Sequence, residues 1–402
     1  MYFCLLLHSR KSKIVKLSTI IISHSGDITS STSSIISENN HPSTYSNIIA
    51  SSSPPAMPYL FNRAYGALIG QCCGDALGCR YKFRSADDVK EQMLTDQDDS
   101  YFLPIRGSSV FEFPPGQVND GTEYSMLVAR SLSRQGSVEI PDIVDSILRW
   151  KNSDPIGTHN PVFEALDVET ENEDPQISGG QLEKKITLSA LLKNKSSLSN
   201  MCLSIATPIA ISTATRLNDS MTCSTSIRLT RLTQPHPAAQ DAVRVLAAAI
   251  RSLILCPDPQ IAYEVALKNA KTSIVLEHLE DARRRPHPFP EDEIENAGSG
   301  SFENEIPIDY LGITLQVAFY HLLYSESFYD GVISSIALGG DTTANAAITG
   351  ALLGARFGAQ SIPQQWKDTV ENAKLERHKT FPDVFLSDAQ SLVNRLLYKL
   401  SF

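Results

Sequence analysis

The sequence contains no Cys-x-x-Cys pair, and its seven cysteines are an odd number set mostly among apolar neighbours. This pattern excludes a zinc ribbon and a disulfide framework and predicts a reducing compartment. No uninterrupted apolar run reaches the roughly 18 to 20 residues that a membrane span needs, so no transmembrane segment is expected. Positive charge is in deficit: 35 Lys and Arg against 45 Asp and Glu leave a formal net charge of -10 and a pI near 5.4. Such a chain repels a phosphate backbone, which points away from nucleic acid and toward a small-molecule or protein substrate. Alternating apolar and polar runs, the mark of half-buried strands, are scarce.

What is present is a long chain with ample apolar content, 402 residues at 42% hydrophobic, enough for one large core. Residues 1–57 differ from the rest. Arg10, Lys11, Lys13 and Lys16 precede the first acidic residue, Asp27, and a Ser/Thr/Asn tract follows. This stretch reads as a leader, either a disordered or untranslated one, with Met57 as the true start, or an organelle transit peptide. The expected compartment is the cytoplasm, or the mitochondrion if the leader is a transit peptide. From residue 58 to 402 a single helical domain is expected. Apolar residues fall at helical spacing over Ala64–Leu77, Thr122–Leu132, Ile140–Trp150, Ala238–Leu255, Pro257–Ala270, Tyr310–Tyr324 and Asn345–Phe357. Two polar stretches, Val168–Ser197 and Glu280–Pro307, read as surface loops.

Three segments carry candidate chemistry. Gly66–Gly78 is a helix of small residues ending near Asp75. Gly116–Met126 sets Asn119 and Asp120 just before an apolar helix, where oxygens also serve as caps. Ala337–Ala355 sets Gly339, Gly340 and Asp341 ahead of a helix whose Ala344, Ala347, Ala351, Gly354 and Ala355 recur at three- and four-residue steps, a face fit for close helix packing. Each segment alone is also explained by capping or packing.

In this order, and with Trp150–Thr158, Asn200–Ile209, Leu232–Ala242, Tyr310–Leu323 and the Ile362-Pro363 and Trp366 region between and after them, the chain resembles the ADP-ribosylglycohydrolase family. The resemblance implies an all-α fold, a compact orthogonal helical bundle. It also implies hydrolysis of the glycosidic bond between ADP-ribose and a protein or other acceptor, with magnesium at the centre. Such cleavage passes through an oxocarbenium-like state, for which hard oxygen-ligated cations supply orientation and Lewis acidity.

The family's Thr-Asp-Asp run falls on Asn119, Asp120 and Gly121, and its Asp-x-Asp-Thr run on Asp341, Thr342, Thr343 and Ala344. The implied assignment is therefore Asp120 and Asp341 as catalytic residues, Asn119, Asp120, Asp341 and Thr343 as metal ligands, and Gly157, Thr158, Gly339 and Gly340 at the substrate. Glu123 or Asp75 would support the shell. With two of four carboxylates kept, one magnesium ion is expected rather than two. ADP-ribose or an ADP-ribosylated protein is the expected partner. The alternative is an inactive family member, an ADP-ribose-binding or structural, crystallin-like protein. His236 reads as a helix start or surface residue, with a polar substitute near Gln234 as the alternative.

Overall fold

The computed structural model describes residues 58–153, 155, 160–168, 179–287, 308–375 and 381–398. The leader at 1–57, the expected substrate residues Gly157 and Thr158, and most of the second expected loop lie outside these residues.

Among the described residues the secondary structure is helical throughout. In chain order the α-helices are α1 (Tyr59–Gly78), α2 (Ala86–Asp96), α3 (Asp120–Gln135), α4 (Ile140–Lys151), α5 (Pro161–Leu166), α6 (Gly179–Lys193), α7 (Ala206–Thr213) and α8 (Ser220–Thr233). They continue with α9 (Pro237–Leu255), α10 (Pro259–Asn269), α11 (Ser273–Asp281), α12 (Leu311–Tyr324), α13 (Phe328–Ile336), α14 (Thr342–Phe357), α15 (Gln364–Glu371) and α16 (Ala389–Tyr398). Extended pairing is confined to isolated bridges, one of them between Arg84 and Gly340. No described helix is long and apolar enough to cross a membrane.

The helices start where the sequence supplies caps. Asn119 opens α3, Asn160 and then Pro161 open α5, and the His236 ring nitrogen Nδ1 accepts from the Ala238 N–H at 3.1 Å to open α9. Of the roles open to it, His236 takes the helix start.

At the centre, α1 and α14 lie antiparallel and almost wholly buried. Glycine recurs every fourth residue along α1, and a Cβ on Gly66, Gly70, Gly74 or Gly78 would meet the carbonyl oxygen of Gly354, Gly350, Ala346 or Thr342 at 2.1 to 2.3 Å. The two backbones touch along this line, an approach only glycine permits. The contact runs over Thr342, Ala346, Gly350 and Gly354. The expected face differs from it: Gly354 is shared, but Ala344 and Ala347 face a cavity instead.

The first expected loop is corrected. Residues 179–193 within it form α6, which buries Ile186 and Ala190 while Leu188, Leu191 and Leu192 remain exposed. Leucines on both faces blur the amphipathic pattern, so helical spacing was not legible there.

Candidate active site

The antiparallel pairing of α1 and α14 brings the end of one helix to the start of the other. Thr342 Oγ1 donates to the Gly78 carbonyl at 2.7 Å, fixing the junction. The chain leaving α1 then folds against the turn that precedes α14: the Phe83 N–H donates to the Gly340 carbonyl at 3.0 Å, and the Gly340 N–H to the Arg84 carbonyl at 2.9 Å. Space is tight enough that a Cβ on Gly339, at φ 74°, would fall 2.7 Å from the Arg84 carbonyl oxygen. Phe83 itself sits at φ 67°, a conformation costly for a bulky side chain. This two-way clasp delivers Lys82 to Asp341, with Nζ 3.1 Å from Oδ1.

A second carboxylate arrives on α3. Asn119 Oδ1 accepts from the Asp120 N–H at 2.8 Å, the Asn119 N–H donates to Asp75 Oδ1 at 2.7 Å, and the Gly121 N–H donates to Asp120 Oδ1 at 2.9 Å. Asn160 Nδ2 donates to Asp120 Oδ2 at 3.0 Å. On the other side, Asn200 Nδ2 donates to Asp341 Oδ2 at 3.0 Å and to Thr314 Oγ1 at 3.0 Å, and Thr314 in turn donates to Asn345 Oδ1 at 2.8 Å. These amides fix both carboxylates without neutralising them.

Asp75, Asn119, Asp120, Asn200, Asp341 and Thr343 line one cavity of about 50 Å³, together with Lys82. Burial pushes the Asp75 carboxyl up to about 7 and the Asp120 carboxyl up to about 6, each against hydrogen bonds that favour the ionised form. Burial works against the Lys82 charge as well, but the Asp341, Asp120 and Asp75 carboxylates outweigh it and hold the ammonium above the usual lysine range.

Four residues assigned from sequence, Asn119, Asp120, Asp341 and Thr343, therefore share one cavity. The capping reading holds beside it, since Asn119 caps α3 and Asp341 Oδ1 accepts from the Ala344 N–H at 3.3 Å. Gly339 and Gly340 do not line this cavity; their place is the clasp on Arg84. Glu123 accepts from Trp150 Nε1 at 2.6 Å, and of the two carboxylates it is Asp75 that lines the cavity. Sequence reading passed over Lys82, Asn160 and Asn200. Asn160 carried the Asn-Pro signal of a helix start and Asn200 lay inside a matched segment; Lys82 carried no signal at all.

The donor set can be tested against magnesium. Asn119 Oδ1 accepts from the Asp120 N–H, Gly121 and Ala344 have no side-chain oxygen, and an ammonium already stands on Asp341. Thr343 Oγ1 and Thr122 Oγ1, both lining this cavity, are buried without a hydrogen-bond partner. Among the described residues no group of three or more His, Cys, Asp or Glu is arranged to hold a metal. With Lys82 in this position the residues do not fit a divalent ion.

Comparison with known proteins places these features in context. Residues 56–399 match the ADP-ribosylglycohydrolase family. The ADP-ribosyl-[dinitrogen reductase] glycohydrolase of Rhodospirillum rubrum is 23% identical over 328 residues, 80% of this chain and 94% of the relative. The ADP-ribosylarginine hydrolase Tri1 of Serratia proteamaculans (strain 568) is 20% identical over 309 residues, 77% of this chain and 75% of the relative. Among solved structures, an ADP-ribosylglycohydrolase-related protein complex superimposes with a TM-score of 0.59 at 20% identity, covering 85% of this chain and 99% of that one.

Proposed function

The chain belongs to the ADP-ribosylglycohydrolase family, and on that premise we propose that its cleft receives the ADP-ribosyl group of a modified protein and hydrolyses the bond joining the ribose to its acceptor. The observation that carries this reading is the convergence of Asp75, Asp120 and Asp341, far apart in sequence, on one cavity. Asp120 is the general base. Its carboxyl is pushed up to about 6, close enough to neutrality to take a proton from an attacking water while still ionised at pH 7. Asp341 and the Lys82 ammonium form a fixed dipole across the cavity, and Asn160 and Asn200 keep the two carboxylates aimed into it.

The relatives whose names specify ADP-ribosylarginine make an arginine-ADP-ribosylated protein the first substrate to try. Release of free ADP-ribose by the full chain, lost in Asp120→Asn, is the expected result. No release from arginine-, serine- or carboxylate-linked substrates would overturn the reading.

One observation favours a second reading, a non-catalytic binder or structural protein. The cavity that Lys82 and Asp341 help to line is only about 50 Å³, far below the roughly 300 Å³ or more of ordinary ligand pockets. Calorimetry with ADP-ribose separates the versions: binding without release identifies a binding module, and no binding leaves the structural role.

A further inference from the structure

We propose that Lys82 is the resident cation of this cleft, a positioning residue whose ammonium stands in for a divalent metal and makes the site independent of magnesium. The inference rests on the assignment of this cavity as the functional one, but not on whether the chain turns substrate over.

Three observations support it. The ammonium lies 3.1 Å from Asp341 Oδ1, the side chain of Lys82 is only 16% exposed, and the same cavity holds Asp120 and Asp75. A dication at Asp341 would have to expel that ammonium or lie against it, and like charges so close in a poorly solvated pocket repel strongly.

The lysine is also built in from behind. Its neighbour Tyr81 is fully buried with its hydroxyl donating to Asp96 Oδ2 at 3.0 Å, and Phe83, in its strained left-handed conformation, is tied to the Gly340 carbonyl at 3.0 Å. The Phe83 ring lies 5.2 Å from Nζ, adding a cation–π contact. A strained residue clasped on both sides is what holding one side chain at one point requires. The clasp uses Gly340, the residue just before Asp341, so the backbone that caps α14 also fixes the partner of its capping carboxylate.

The third observation is the remaining oxygens. Asn119 Oδ1 accepts a backbone N–H, and Asp120 accepts from Gly121 on one oxygen and from Asn160 on the other, so each of these oxygens has a partner supplied by the chain. The ammonium completes the Asp341 side in the same way, alongside Asn200 and the Ala344 N–H. The cation at Asp341 is thus supplied by the chain's own ammonium.

The test is metal binding, read without substrate. Mn²⁺ is titrated into the full chain and followed by electron paramagnetic resonance of the free ion, with thermal melts in Mg²⁺ alongside. The wild type is expected to bind neither ion at millimolar concentration and to melt at the same temperature with or without Mg²⁺. Lys82→Gln, which keeps a hydrogen bond to Asp341 but removes the charge, and Lys82→Met are expected to gain Mn²⁺ binding at least about tenfold tighter than wild type. That gain should vanish when Asp341→Asn is added to either. Two variants guard against one that fails to fold, and circular dichroism identifies such a failure. Mn²⁺ binding by the wild type that depends on Asp120 or Asp341, or no gain in either folded Lys82 variant, would overturn the proposal. Failure to release ADP-ribose would bear on the proposed hydrolysis and leave this measurement untouched.

Discussion

Gly70 of α1 and Gly350 of α14 face each other so closely that a Cβ built on Gly70 would lie 2.3 Å from the Gly350 carbonyl oxygen. The obstacle is backbone, which cannot swing aside as a side chain would. Gly70→Ala and Gly350→Ala are therefore expected to lose about 3 kcal/mol each, the upper range for overpacking. Gly180, exposed in α6 with no heavy atom within 4 Å of its built Cβ, is the control. Gly180→Ala should be neutral or slightly stabilising. Thermal melts of the three variants check this, and equal melting temperatures would contradict a glycine-dependent helix contact.

Lys82 and Asp341 should be coupled energetically. Asp341→Asn keeps the side-chain oxygen that caps α14 but leaves the ammonium beside an uncharged partner, at an expected cost of about 3 kcal/mol. Lys82→Met in the same chain should recover part of that loss. A double-mutant cycle measured by urea denaturation reports the interaction directly, and strictly additive losses would show that the pair contributes nothing.

The pH dependence of turnover follows from Asp120. A base must be ionised, so ADP-ribose release should rise as pH climbs through about 6 and level off above it. Asp120→Asn should lower the rate by about 10² to 10⁴ and flatten the profile. A wild-type profile that falls with rising pH over this range would reassign Asp120 as an acid.

Acid should destabilise the fold through His321. This ring is 6% exposed, its Nδ1 lies 3.1 Å from Ser325 Oγ, its Nε2 is buried with no hydrogen-bond partner, and burial lowers its pKa to about 4. In the unfolded chain the same group takes its proton near pH 6.5, so between the two values the unfolded state binds more protons. The stability tied to neutral His321 is complete above pH 6.5 and is lost as pH falls toward 4, by up to about 3 kcal/mol. His321→Phe should remove that share of the acid slope, seen as urea midpoints that change less between pH 7.5 and 4.5. An unchanged slope would place the acid sensitivity elsewhere.

The helical architecture was legible because it rests on local rules. Helical spacing set the long helices, Asn119 and His236 announced their caps, and the ordered motifs carried the family. Asn119, Asp120, Asp341 and Thr343 could be assigned to one site because their positions in those motifs are a property of sequence. Helix α6 was missed because its leucines are spread over both faces, which leaves no single apolar stripe to read.

The sequence by itself determined that this chain is an all-helical member of its family, and it determined which carboxylates remain in the motifs. The tertiary structure decided what those carboxylates face. Glycines every fourth residue on α1 let its backbone touch that of α14, which brings the end of the first helix to Asp341 at the start of the other. The Gly339-Gly340 turn then clasps the segment after α1 and swings Lys82 onto Asp341. A lysine four residues past the end of a helix has no periodicity, cap or motif to mark it, because its role depends on a contact 259 residues away along the chain. Only packing creates that contact, and with it the cation of the site.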